Sequence, residues 1–121
     1  YGFLRKIFEV FEKYQTAIDM VTTSEVAVSL TIDNDAYLAE IIKELELFGS
    51  VEVDSNQTIV SIVGNQITQT PDVLAKVFTS LSGIPVRMVS YGGSQDKISI
   101  LCANGDKEKT LQLLSKGLFG I

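Results

Sequence analysis

From Phe3 to Tyr14 the apolar residues Phe3, Leu4, Ile7, Phe8, Phe11 and Tyr14 recur at helical spacing, while Arg5, Lys6, Glu9, Glu12 and Lys13 fill the other face. The pattern predicts an amphipathic helix that opens beside Gly2. Next, Ile18 to Val21 is short and β-prone. Val26, Val28, Leu30 and Ile32 then alternate with Ala27, Ser29, Thr31 and Asp33, as in a half-buried strand. Thr22-Thr23-Ser24-Glu25 joins or extends these two strands. Asp33-Asn34-Asp35 brings turn and helix-cap chemistry ahead of Leu38, Ile41, Ile42, Leu45 and Phe48, whose helical spacing stops at Gly49. Val51 and Val53 predict a further strand.

A second set of elements follows. The apolar run Ile59 to Val63 ends at Gly64-Asn65, and a helix with Pro71 in its opening turn carries Val73, Leu74, Val77, Phe78 and Leu81. Val86 to Tyr91 and Lys97 to Ala103 predict two strands around a hairpin turn at Gly92-Gly93-Ser94. A last helix carries Leu111, Leu114 and Leu118. The two sets share residues as well as pattern: Leu4-x-Lys6-Ile7-Phe8 matches Leu74-x-Lys76-Val77-Phe78, and Met20-Val21 matches Met88-Val89. Val28-Ser29-Leu30 likewise matches Ile98-Ser99-Ile100, and Leu47-Phe48-Gly49 is echoed by Leu118-Phe119-Gly120.

One assumption accounts for this, a duplicated βαββαβ unit of the ferredoxin-like kind. The expected class is α+β: two antiparallel sheets, each covered by helices on one face, with domains over 1–56 and 57–121. Each copy is one strand short, the first before its opening helix and the second after its closing helix. Both missing strands are expected from sequence upstream of Tyr1 in a longer chain.

Composition narrows the chemistry. A net charge of −5 offers no basic stripe for phosphates, so neither nucleic acid nor an anionic membrane is an expected partner. With no histidine and a single cysteine, Cys102, no metal site is expected, and the commonest general base is missing. No catalytic residue is assigned. Cys102 is expected to be a small buried apolar residue, and a cytoplasmic location fits a chain without a disulfide.

What stands out is acid and glycine in unusual places. Gly2 leaves the amides of Phe3, Leu4 and Arg5 at a helix start, where the dipole favours an anion. Asp19 interrupts an apolar strand, where a buried unpaired carboxylate is costly. Glu25 closes a polar Thr-Thr-Ser run on the same hairpin. Two carboxylates on one edge suit two ammonium groups, and uncapped amides suit a carboxylate. A strand-edge Asp19 bridged to a lysine, turn-forming Thr23 and Ser24, and core positions for Phe3, Phe8 and Phe11 are the plainer alternatives.

Gly2-Phe3-Leu4-x-Lys6-Ile7-Phe8, followed by Ile18-Asp19-Met20-Val21-Thr22-Thr23-Ser24-Glu25-Val26 and Ser29-Leu30-Thr31-Ile32-Asp33, resembles the first regulatory ACT domain of aspartate kinase, the lysine-sensitive monofunctional kind above all. Val51-Glu52-Val53, Ile62-Val63-Gly64-Asn65, Val86 to Ser94 and Leu118-Phe119 resemble the second. The resemblance implies a regulatory region of an enzyme that phosphorylates the β-carboxylate of aspartate on the way to lysine, threonine and methionine. It implies an upstream kinase domain that holds ATP and magnesium, with no cofactor in this piece. It implies edge-to-edge homodimers with an effector, L-lysine first, at the interface between ACT domains. Gly2, Phe3, Leu4, Ile18, Asp19, Thr23, Ser24 and Glu25 are the effector-binding residues it suggests, with Asn65 and Gln66 as second-domain candidates. Alternatives in reserve are threonine, lysine together with S-adenosylmethionine, and a ligand-free dimerisation module.

Overall fold

The computed structural model describes residues 2–24 and 27–120. The chain divides into two compact units, Tyr1–Val53 and Asp54–Ile121.

In the first unit, helix α1 (Phe3–Lys13) leads through a short turn into strand β1 (Ile18–Thr23), which pairs antiparallel with β2 (Val28–Ile32) ahead of α2 (Leu38–Leu45). Ile7, Val10, Phe11 and Ile41 are buried between helices and sheet, and Ile18, Val28, Leu30 and Ile32 pack on them from the strands. The stripe predicted for α1 is met in part: Ile7 and Phe11 are buried as expected, Val10 is buried although the predicted face leaves it out, and Leu4 is exposed. Phe11 is core, whereas Phe3 and Phe8 remain about 41% and 43% exposed. Phe3 leans edge-on against Phe48 with ring centroids 5.8 Å apart. At the far end of the unit, Tyr14 donates its hydroxyl to Glu44, and Lys13 reaches the same carboxylate at 2.9 Å. This three-residue clasp joins the end of α1 to α2.

Two expectations for this unit change. The Asp33-Asn34-Asp35 run does not cap α2: Asn34 Oδ1 accepts from the Ala36 amide at 2.9 Å, an Asx turn, and the helix begins after Tyr37 without a side-chain cap. Val51 to Val53 forms no strand. The neighbour of a closing strand in a βαββαβ unit is its opening strand, and no described residue of this unit provides one. Alternation alone cannot satisfy a ladder.

The second unit holds β3 (Gln57–Val63), a 3₁₀ turn at Ile67–Gln69, α3 (Val73–Ser80), β4 (Met88–Ser90), β5 (Lys97–Ala103) and α4 (Lys107–Leu114), which runs on as a π-helical turn through Phe119. Its sheet has the order β3-β5-β4, all antiparallel. The central strand β5 buries every residue from Ile98 to Cys102, including Ser99, whose hydroxyl meets that of Ser61 at 3.0 Å. Val60, Ile62, Val77, Leu81, Ile84, Ile98, Ile100, Cys102 and Leu114 make one core. The strand expected over Val86–Tyr91 contracts to Met88–Ser90, the residues paired in register with β5, and the Arg87 amide adds one bond to the Leu101 carbonyl at 2.9 Å. Among the described residues no helix is long and apolar enough to cross a membrane, and no cluster of metal-ligating side chains occurs.

Candidate effector site

Asp19 is exposed, and the local cause is a β-bulge. Ile18 pairs with Ile32 and Val21 with Leu30, so Asp19 and Met20 together face the single residue Thr31. An inserted residue bends a strand and re-aims a side chain, and bulges recur beside functional sites. Here it spares an acid in an apolar strand the cost of burial. The Met20 amide, which has no partner in the ladder, donates to Thr31 Oγ1 at 3.0 Å. No ion pair involves Asp19 among the described residues, so the alternative of a strand-edge salt bridge finds no support.

Gly2 adopts the left-handed conformation, φ 71° and ψ 9°, that hands the chain into α1. Its carbonyl accepts from the Lys6 amide at 3.1 Å, and no side chain caps the helix. The Phe3, Leu4 and Arg5 amides therefore present donors with the dipole behind them. Leu4 is exposed beside them.

Thr23 pairs with Val28, and Ser24 closes the hairpin: its amide donates to the Ala27 carbonyl at 2.8 Å and its hydroxyl to the same oxygen at 3.4 Å. Ser24 is thus a turn former as well as a candidate contact. Glu25 lies outside the described residues. Ile18 faces the core and positions its neighbour.

A four-residue turn, residues 14–17, separates the end of α1 from β1, so the helix start and Asp19 are contributed by successive elements, an 11-residue helix and the strand after it.

In the second unit, Asn65 is exposed, and Gln66, at φ 54°, gives its amide to Asp96 Oδ1 at 2.7 Å. Thr68 binds the Gln95 carbonyl and Tyr91 Oη binds the Thr68 carbonyl, so this loop is fastened to the β4–β5 hairpin. The backbone donor at Gln66 is already used. Thr31 is the residue that sequence reasoning missed. Its only signal was a hydroxyl in a half-buried strand, and the register that gives it meaning comes from pairing.

The sequence model of an ACT domain family matches residues 60–118. A structure described as a C-terminal regulatory domain of aspartate kinase from Porphyromonas gingivalis W83 is 48% identical, with a TM-score of 0.88, over 98% of this chain and 81% of that one. Lysine-sensitive aspartokinase 3 of Escherichia coli is 32% identical over 126 residues, 98% of this chain and 28% of that protein. Its structure in complex with lysine and aspartate superposes with a TM-score of 0.83, over 98% of this chain and 28% of that one. The chain thus spans less than a third of the length of the curated relatives it matches. An α+β fold with antiparallel sheets, a matched ACT profile and a close regulatory-domain relative lead to one conclusion: the chain belongs to the family of ACT-domain regulatory regions of aspartate kinases.

Proposed function

We propose that this region senses a free amino acid, L-lysine first, and that two copies of the chain together build each site. The observation that carries this reading is the bulge. It leaves the Asp19 carboxylate exposed and, among the described residues, outside any ion pair, while the first turn of α1 carries uncapped amides. An amino acid offers the complementary charges, a carboxylate for the amides and ammonium groups for the acid. In this reading a second copy placed edge to edge brings the Asp19 of one against the helix start of the other. The lysine complex of the Escherichia coli relative supports lysine as the first ligand to test.

In the longer protein, occupancy acts on an upstream kinase domain, with its ATP and magnesium, that phosphorylates aspartate. The ligand shifts activity by as much as it prefers one arrangement, typically about 1 to 3 kcal/mol, several-fold to hundredfold inhibition.

Calorimetric titration with lysine, threonine, and lysine plus S-adenosylmethionine tests the reading. Lysine binding that Asp19→Ala removes is the expected result. Unchanged affinity in that variant overturns the pocket, and a dimer indifferent to every amino acid leaves a ligand-free pairing module in its place.

A further inference from the structure

We infer that Thr31 is a positioning residue for effector recognition, acting through the bulge that carries Asp19; the inference rests on the pocket proposed above. A bulge takes two residues out of register and leaves a backbone donor without its ladder acceptor. At this bulge that donor is the Met20 amide, and Thr31 Oγ1 takes it at 3.0 Å. Thr31 is also the one residue of β2 that faces the inserted pair, between Ile32 opposite Ile18 and Leu30 opposite Val21. Its hydroxyl is thus the only side-chain acceptor that a described hydrogen bond gives to the bulge.

The consequence for Asp19 is geometric. Met20 is buried and Asp19, its neighbour, is exposed. A side chain that anchors the Met20 amide fixes the peptide plane joining the two and so the direction in which the carboxylate leaves the strand. A charge-assisted hydrogen bond to an ammonium group is sensitive to that direction, so a mobile bulge weakens binding although every contact residue is still present. Without the hydroxyl the Met20 amide is left to water or to a shifted register, and a one-residue slip exchanges the faces of the strand.

Two substitutions separate the hydroxyl from the rest of the side chain. Thr31→Val keeps the shape and removes the acceptor; Thr31→Ser keeps the acceptor and removes the methyl group. Lysine affinity by calorimetry, Met20 amide exchange by NMR and a thermal melt to establish folding are measured on both, beside the wild-type protein and Asp19→Asn. The expected result is lysine binding by the wild type, loss in Asp19→Asn and wild-type affinity in Thr31→Ser. Thr31→Val is expected to bind about fivefold to tenfold more weakly, with faster Met20 exchange.

A folded Thr31→Val that binds as the wild type does, while Asp19→Asn fails, overturns the inference and leaves the pocket standing. Equal weakening in Thr31→Val and Thr31→Ser also overturns it, since the hydroxyl would then be irrelevant. Should Thr31→Val not fold, Thr31→Ala takes its place beside Thr31→Ser: weaker binding and faster Met20 exchange in Thr31→Ala alone supports the inference, and equal behaviour of the two overturns it. A wild-type protein that ignores lysine, or an Asp19→Asn variant that binds it normally, defeats the pocket and this inference with it.

Discussion

The two units keep the same frame and reverse its charges. Aligned on the shared Leu-x-Lys-(Ile/Val)-Phe run, Gly2 corresponds to Asp72, and both precede their helix in the left-handed conformation, φ 71° and 68°. Aligned on Met-Val, Asp19 corresponds to Arg87. Neither helix start has a side-chain cap, but where the first unit has a glycine beside its amides the second has a carboxylate. Where the first has an exposed acid the second has a guanidinium, tied to Asp54 at 2.5 Å. A zwitterion oriented by the first unit would meet repulsion at both ends in the second. On the proposed reading, the two units share a backbone frame and these two positions set which of them suits an amino acid.

The sharpest test transplants one difference. Gly2→Asp puts at the first helix start the residue that the second unit already carries in the same conformation, so the fold should accept it. The carboxylate it introduces faces the anion that the amides would hold. Lysine binding should fall by more than tenfold, a loss comparable to that in Asp19→Ala. Mixing the two variants then tests how the site is shared between copies. In a mixed pair, one site joins both altered halves and the other joins both intact halves, so calorimetry should recover binding that neither variant shows alone. No recovery in mixtures proven to exchange subunits would place both halves on one chain and break the two-copy reading. The mirror change, Arg87→Asp, should leave lysine affinity within twofold and alter stability by no more than about 1 kcal/mol, as expected for an exposed ion pair.

The units also differ in how firmly they are built. Among the described residues, nine buried residues form the core of the second and four form that of the first. Buried apolar area sets resistance to local opening. Gly117 adds a close contact to the second unit: a Cβ there would come within 2.7 Å of the Ser80 Cβ on α3, in the π-helical turn that packs on it. Gly117→Ala should therefore destabilise by about 1 to 3 kcal/mol, read as a lower denaturation midpoint, and adding Ser80→Gly should recover part of it. A neutral Gly117→Ala would mean that the turn yields at no cost. Amide exchange should be faster across α1, β1 and β2 than in β5, and uniform protection would remove the contrast between a responsive and a rigid unit.

Much of this was legible in the sequence, and the parts that were not share a cause. Helix α1, the alternation from Val28 to Ile32 and the repeat itself follow from spacing, because amphipathic elements carry their periods locally. Asp19 stood out as an acid in an apolar strand. The bulge that exposes it did not, since Ile18-Asp19-Met20-Val21 reads the same in either register and only pairing against Leu30–Ile32 reveals the extra residue. Val51–Val53 failed as a strand for the same reason: strands are made by neighbours. Phe3 and Phe8 have helical spacing yet lie at the margin of a stripe too wide for the core beneath it. Thr31 had no local signal, because its role depends on a residue eleven positions away.

The smallest expected effect concerns the clasp at the far end of the first unit, which has no counterpart bond in the second among the described residues. The Tyr14 hydroxyl and the Lys13 ammonium hydrogen-bond the Glu44 carboxylate, in that order of importance, and hold its pKa below the usual value of 4.5. The folded state thus resists protonating Glu44, and the stability this contributes is present above the unfolded-state value and is lost as pH falls through the lowered folded one. At the alkaline end the Glu44 hydrogen bond raises Tyr14 above 10.0 and Lys13 above 10.5, so their contribution is complete below those values and is lost as pH rises through the folded ones. All three groups are solvent-accessible, which keeps the effect small and salt-sensitive. Tyr14→Phe should flatten the fall in denaturation midpoint between about pH 5 and pH 3 without changing the plateau near pH 7 by more than a few degrees. The charge-neutral control Tyr91→Phe, which deletes a hydroxyl in the other unit, should leave that acid limb as it is. An acid limb equally steep in Tyr14→Phe would mean that the clasp closes only in passing and that the first unit's helices are held by their apolar stripe alone.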